Sequence, residues 1–196
     1  MAEGLILNAL KAQPRRQPAV PNGVLGMLIF AIAESMFFAG LISAFMIVRS
    51  SARMGWPPPG QPRLPVEQTA FNTAALLLSG IILVISWRLW NKRPQSARWP
   101  LLASLLLGSS FVVLQGAEWL SLLGEGLTLT SSSQGSFFYL IVGLHGAHAI
   151  AALGALTWAY VKLVQGSLQR SAFLTAQVFW YFVVVLWPFI FLRVYF

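Results

Sequence analysis

Five apolar stretches, at about 24–48, 71–90, 100–123, 136–164 and 173–194, constrain this 196-residue chain more than any other feature. A helix of about 20 mainly apolar residues spans the hydrocarbon of a bilayer. Backbone amides have no water to bond there, so such stretches become helices. The expected fold is an all-α integral membrane protein, a bundle of five transmembrane helices. Residues 24–196 would form one transmembrane domain behind a tail at 1–23. Composition agrees. Charged residues make up 9% of the chain and hydrophobic residues 57%, against about a quarter charged in a soluble domain. Too few charges remain to cover a water-facing surface. The fourth stretch is the longest, so tilt or extension beyond the hydrocarbon is expected of it. No internal repeat is visible, and an inverted-repeat transporter has no support.

The connecting segments set an orientation. "RMGWPPPGQPRLP" (53–65) breaks any helix and places Trp56 at an interface. "WRLWNKRPQSARWP" (87–100) holds four cations among tryptophans, an interfacial belt. "GEGLTLTSSSQGS" reads as a polar, flexible third loop without Lys or Arg. The tail, second loop and fourth loop share one side and carry nine Lys and Arg, including Lys11, Arg15 and Arg16; the other side carries four. The positive-inside rule then puts the N-terminus in the cytoplasm and the C-terminus outside. The opening residues are too polar and too broken by proline for a secretory signal, so the first apolar run is expected to stay as a span. The net charge of +8 sits at segment ends, which suits anionic headgroups; nucleic acid would want a contiguous basic groove.

Ionisable residues inside spans are costly and point to function. Glu34 lies about ten residues into the first span, near the midplane. Glu118 lies about five residues from the outer end of the third, with Gln115 one turn before it on the same face. His145 and His148, the two histidines of the chain, lie in the fourth span, about ten residues from its outer end. Gln177 falls in the fifth. These depths allow two pairings, Glu118 with His145 and Glu34 with His148, each joining two expensive groups. Gly143, Gly146 and Gly154, with nearby alanines, have the three- and four-residue spacing that lets membrane helices approach closely. They put the histidines on a packed face.

A cofactor reading is weaker. There is no Cys, which removes thiolate ligands. Two histidines on one helix cannot take opposite sides of a haem. A two-His carboxylate metal site from His145, His148, Glu118 and Glu34 is conceivable, but H-x-x-H only says "same face". Structural pairing is the simpler role. For Glu34, pairing competes with a proton-related role. The aromatic run "FWYFVVVLWPFIFLRVYF" is expected at the lipid and interface, with Pro188 bending or ending the last helix. Met27, Met36 and Met46 read as packing residues.

Five motifs in order then carry a resemblance. They are "GMLIFAIAESMFF" (26–38); "WPPPG", with Trp56, Pro57 and Pro58; "LPVEQTAFNTAALLLSG" (64–80), with Asn72 and Thr73; "LQGAEW" (114–119); and "GSFFYLIVGLHGAHAIAALG" (135–154). From Gly26 to the C-terminus the chain resembles subunit III of the haem–copper terminal oxidases. It departs at "WYFVVVLW" (180–187), where Tyr181 and Val184 stand for a family His and Asp. It has five spans where the mitochondrial form has seven, as in bacterial versions.

The resemblance implies a non-catalytic subunit of a cytochrome c oxidase or quinol oxidase in the bacterial cytoplasmic membrane. Haem and copper would be carried by partner subunits and none by this chain. Subunit I would be its main contact, with subunit II and a small subunit IV as further partners. Implied roles are holding phospholipids, stabilising subunit I and assisting proton uptake. Two alternatives stay open. One is an accessory subunit of a nitric oxide reductase or a larger respiratory supercomplex. The other is a stand-alone metal-dependent or transport protein.

Overall fold

The computed structural model describes residues 20–52 and 55–196. The tail residues 1–19, with Lys11, Arg15 and Arg16, lie outside the described residues, as does Arg53. Five long helices follow one another: α1 (Asn22–Ser50), α2 (Val66–Lys92), α3 (Arg98–Gly124), α4 (Ser133–Val164) and α5 (Arg170–Val194). A short 3₁₀ turn, Pro94–Ala97, joins α2 to α3. All five are long and apolar enough to cross a membrane. Among the described residues there is no strand.

The helices overrun the expected spans because their first turns are polar. Pro65 precedes α2, and Glu67 lies in its opening turn, where a carboxylate suits the helix dipole. Ser132 caps α4, its side chain accepting from the Gly135 N–H at 3.1 Å, which satisfies a donor that the first turn leaves free. Hydropathy is blind to such residues. Pro188 does not end α5, which continues to Val194.

The arrangement turns on α5. It packs against α1, α2 and α4, while α3 bridges α2 and α4. Its inward face is a stripe: Phe173, Gln177, Trp180, Val184, Trp187, Phe191 and Val194 are buried. The expectation of an aromatic lipid surface is thereby corrected for Trp180 and Trp187, both 0% exposed. They stay inside because each indole N–H finds an oxygen on α2. Trp180 donates to Ser79 Oγ at 3.1 Å and Trp187 to Thr73 Oγ1 at 2.8 Å. Val185, Phe189 and Leu192 form the outward face.

Helix α2 shows why a membrane bundle is partly inside out. Lipid is as apolar as leucine, so burial alone does not hold helices together; packing and hydrogen bonds do. The buried residues of α2 are Thr69, Asn72, Thr73, Leu76, Ser79, Gly80, Leu83 and Ser86, a helical stripe of mostly small and polar side chains. Ser104 of α3 donates to the Ser79 carbonyl at 2.8 Å, and Ser86 to that of Ala97 at 3.1 Å. Close approach rests on particular glycines. A Cβ on Gly108 would lie 2.6 Å from the Trp180 ring, and one on Gly80 3.0 Å from Val184. On α1, Met36 and Met46 are exposed rather than packed, together with Ile29, Ile32 and Phe37.

Both ends of the bundle are ordered by their loops. Helices α1 and α2 do not pack on one another, and the described loop residues from 55 onward reach the C-terminal end of α5. There Trp56 meets Phe45 edge-on at 5.5 Å. Trp56, Pro57 and Leu64 line a recess with Val194 and Tyr195. The third loop, expected to be flexible, is instead knitted onto α4. Ser136 Oγ donates to Leu129 O at 2.7 Å, and Tyr139 to Leu127 O at 2.9 Å. At the opposite end Trp87 stacks on Trp90 at 5.5 Å, and the Arg170 guanidinium lies 5.6 Å from the Trp87 ring.

Candidate functional site

The ionisable side chains of the spans fall into two groups. The first joins α1 to α4. Glu34 Oε2 lies 3.5 Å from His148 Nε2. His148 Nδ1 lies 2.8 Å from the Leu144 carbonyl one turn back. A carbonyl only accepts, so Nδ1 carries a proton and Nε2 faces the carboxyl group. Two states of this pair have the same total charge: carboxylic acid with neutral imidazole, and carboxylate with imidazolium. Phe30, Phe38, Phe179 and Phe182 surround the ring at 5.7 to 6.4 Å. The pairing expected from depth is the one the geometry makes. The side chains remain 26% and 13% exposed.

The second group lies at the C-terminal end of α5, and it differs from the expectation. Glu118 meets Thr69 and Tyr195, not His145. Thr69 Oγ1 donates to Glu118 Oε2 at 2.8 Å, and the Tyr195 hydroxyl donates to Oε1 at 2.9 Å. Gln115 Nε2 donates to the Tyr195 oxygen at 3.0 Å. Asn72 Nδ2 lies 3.1 Å from the Phe111 carbonyl and 3.4 Å from Gln115 Oε1. One connected set thus ties α2, α3 and the residue after α5. Burial holds the Tyr195 phenol well above the ordinary tyrosine range, so it stays a donor.

His145 is 0% exposed, and neither ring nitrogen has a hydrogen-bond partner. It lies over Trp187 at 5.0 Å, with Phe38 and Phe111 edge-on at 6.4 and 6.5 Å. Depth along the bundle allowed the Glu118–His145 pairing; rotation about the helix axes forbids it. Glu118 faces α2, whereas His145 faces α5.

The glycines divide as well. A Cβ on Gly146 would lie 2.9 Å from the Trp119 ring, a tight approach of α3 to α4. At Gly143 and Gly154 it would meet nothing within 4 Å, so the expected close packing is absent at both. Gly23, Gly80, Gly108 and Gly135 are the close approaches that the sequence did not single out. Nor did it single out Thr69 and Tyr195. Thr69 had a signal, because Thr69, Asn72 and Thr73 recur at helical spacing on one face of α2. Tyr195 had none, since nothing local says that the chain end folds inward.

Two of the residues considered as metal ligands are already engaged. Both nitrogens of His148 are engaged, by Leu144 and Glu34. Both oxygens of Glu118 accept from hydroxyls. Among the described residues no three His, Cys, Asp or Glu side chains cluster as a metal site would need.

Fold and polar interior together define a multi-pass helical membrane protein whose intramembrane carboxyl groups are tied between helices. Relatives narrow the class. The family described as cytochrome c oxidase subunit III matches residues 8–196. A probable cytochrome c oxidase subunit 3 of Nocardia farcinica is 31% identical, over 90% of this chain and 89% of its own length. That of Mycobacterium leprae is 30% identical over the same shares. The human cytochrome c oxidase subunit 3 is 32% identical, over 93% of this chain and 73% of its own length. The chain belongs to the cytochrome c oxidase subunit III family, as the five ordered motifs indicated.

Proposed function

We propose that this chain is the membrane subunit III of a bacterial haem–copper terminal oxidase, working in aerobic respiration. The match to the family over residues 8–196 carries this reading. Oxygen reduction and proton pumping take place on subunit I, which also bears the haem and copper. The chain packs beside subunit I, with subunit II and a small subunit IV as further neighbours, and stabilises it during turnover. Phospholipids cover its apolar flanks, and the N-terminus lies in the cytoplasm.

A part in proton uptake is supported by the Glu34–His148 pair. A proton can pass between carboxyl and imidazole without changing the charge buried in the membrane, which keeps the desolvation cost low. The pair is partly exposed, so a neighbouring subunit or lipid would meet it.

The test is purification of the native complex through an affinity tag on this chain, followed by redox difference spectroscopy. The expected result is a haem–copper oxidase spectrum with subunit I present at one copy per tagged chain. Recovery of the chain alone, or with a nitric oxide reductase large subunit, overturns the assignment. Stoichiometric metal on the isolated chain after chelation would instead support a metal protein.

A further inference from the structure

Three arginines gather where α1 and α5 end. Arg49 lies in the last turn of α1 and Arg193 in that of α5; Arg63 lies in the loop before α2. Arg49 and Arg63 line a recess of about 210 Å³ with Trp56 and Pro57. Arg49 and Arg193 line an adjoining recess of about 500 Å³ with Ser50 and the same Trp56. Both present polar surface that an occupant can touch, and no Asp or Glu lines either. Arg49 donates to the Phe196 carbonyl. Among the described residues Arg63 and Arg193 make neither hydrogen bond nor ion pair, the one ion pair being Glu34–His148. Helix dipoles favour a cation in the last turn of α1 and of α5, which accounts for Arg49 and Arg193 singly. They do not account for Arg63, or for like charges around one place. Such charges repel one another until an anion sits among them.

Three features choose among anions. The first is level. Arg49 lies about 13 residues beyond the middle of α1, so about 20 Å along its axis. The headgroup region of a bilayer lies about 15–22 Å from its centre. The second is what adjoins the charge. The wall of the Arg49–Arg193 recess includes Met46 and Leu192, both exposed apolar side chains. The third is continuity. An open groove of about 650 Å³ lies between α1 and α5, lined by Ala39, Tyr181 and Val185 among others. Met46 is two helical turns beyond Ala39, and Leu192 two turns beyond Val185, so recess and groove share one seam. Free phosphate or an acidic peptide would use the guanidinium groups and have no need of the seam. An occupant that uses both has an anionic head and an apolar tail.

We propose that the C-terminal ends of α1 and α5 form a binding site for an anionic glycerophospholipid. Its phosphate lies between Arg49 and Arg193, its headgroup points toward Arg63, and an acyl chain follows the α1–α5 seam past Leu192 and Met46. Guanidinium groups suit phosphate oxygens, to which they donate in pairs. With no carboxylate lining either recess, nothing there would hold the cationic end of a zwitterionic headgroup, so an anionic lipid is selected. The proposal rests on the reading that phospholipids cover the flanks of this chain, and not on the identity of the large subunit.

The experiment uses the intact native complex in nanodiscs of phosphatidylcholine that carry a small share of phosphatidylglycerol with a photoactivatable acyl chain. Crosslinked residues are mapped by mass spectrometry. Crosslinks are expected on Met46, Val185 and Leu192, about tenfold above those of a matched phosphatidylcholine probe. Unlabelled phosphatidylglycerol should displace them, and inorganic phosphate should not. Arg63→Gln and Arg193→Gln should each cut labelling of the seam about fivefold, the size of one cation's attraction to an anionic surface. Lys92→Gln, at the opposite end of the bundle, should leave it unchanged. Subunit composition and haem spectrum should be unchanged in all three. If a variant fails to assemble, the competitions on the wild-type complex decide. Equal labelling of the seam by the two probes overturns the proposal, as does displacement by inorganic phosphate or indifference to both arginine variants. Crosslinks that arise only after a neighbouring subunit is stripped away would place a protein in the recess, and also overturn it. The phosphatidylcholine probe separately tests the general lipid covering, through the exposed Phe71 and Ile81 of α2.

Discussion

Tyr195 does more for the polar interior than its place near the chain end suggests. It donates to Glu118, accepts from Gln115 and is itself buried. Tyr195→Phe removes the hydroxyl and leaves Glu118 with one donor fewer, at an expected cost of about 1–2 kcal/mol. Glu118→Gln should cost a similar amount. The two together should cost less than their sum, because they share one bond. Thermal denaturation of the purified complex measures this cycle, and full additivity would remove the coupling. By the same measure Glu118→Gln and His145→Phe should be additive, since those residues do not meet. Glu34→Gln tests the other pair. Glutamine cannot ionise, so the proposed exchange of a proton with His148 would be blocked. The expected outcome is normal assembly and an unchanged haem spectrum, with activity decaying faster during continuous turnover. Loss of haem absorbance in an assembled complex would contradict a supporting role.

Among the elements, α5 carries the arrangement and α3 closes over it. Gly108 on α3 leaves room for the Trp180 ring on α5, which lies where a Cβ would be. Gly108→Ala overpacks this crossing and should lower stability by about 1–3 kcal/mol. The comparison is Gly154→Ala on α4, where a Cβ meets nothing. There the gain in helix propensity, up to about 1 kcal/mol, should leave stability equal or higher. Melting temperatures of the two variants decide it; equal losses would mean that glycine matters for backbone freedom rather than for space. The same elements show what a sequence can disclose. The polar stripe of α2 is legible, since its small and hydroxyl residues recur at helical spacing. The inward face of α5 is not. Aromatic residues occur all around that helix, so periodicity does not separate Trp180, which is buried, from Phe189, which is exposed. Only the partners on α2, Ser79 and Thr73, make the distinction.

For the whole molecule the open prediction is orientation. The chain contains no cysteine, so single introduced thiols report unambiguously. Thr130 lies in the third loop and Ser96 in the turn between α2 and α3, both exposed. In intact cells a membrane-impermeant maleimide should label Thr130→Cys and spare Ser96→Cys. Permeabilised cells should label both. The reverse pattern would invert the proposed topology.

What the sequence determined by itself is the class of fold, the number of spans and the family. Each depends on local quantities: apolar run length against bilayer thickness, and short motifs in a set order. It also gave an expected depth for each ionisable residue, by counting along a helix. Those depths allowed Glu34 to meet His148, and the structure makes that pair. They were not enough for Glu118, whose partners are Thr69 and Tyr195, or for His145, which has none. Pairing needs the rotation of each helix about its axis as well as its depth. Rotation is decided by what the other helices present, here the two tryptophans of α5 seated on the hydroxyls of α2. The tertiary structure also decided the meaning of the glycines. Gly108 and Gly146 admit a ring from another helix, whereas a Cβ at Gly143 or Gly116 would meet nothing within 4 Å. In the sequence all four are the same missing side chain.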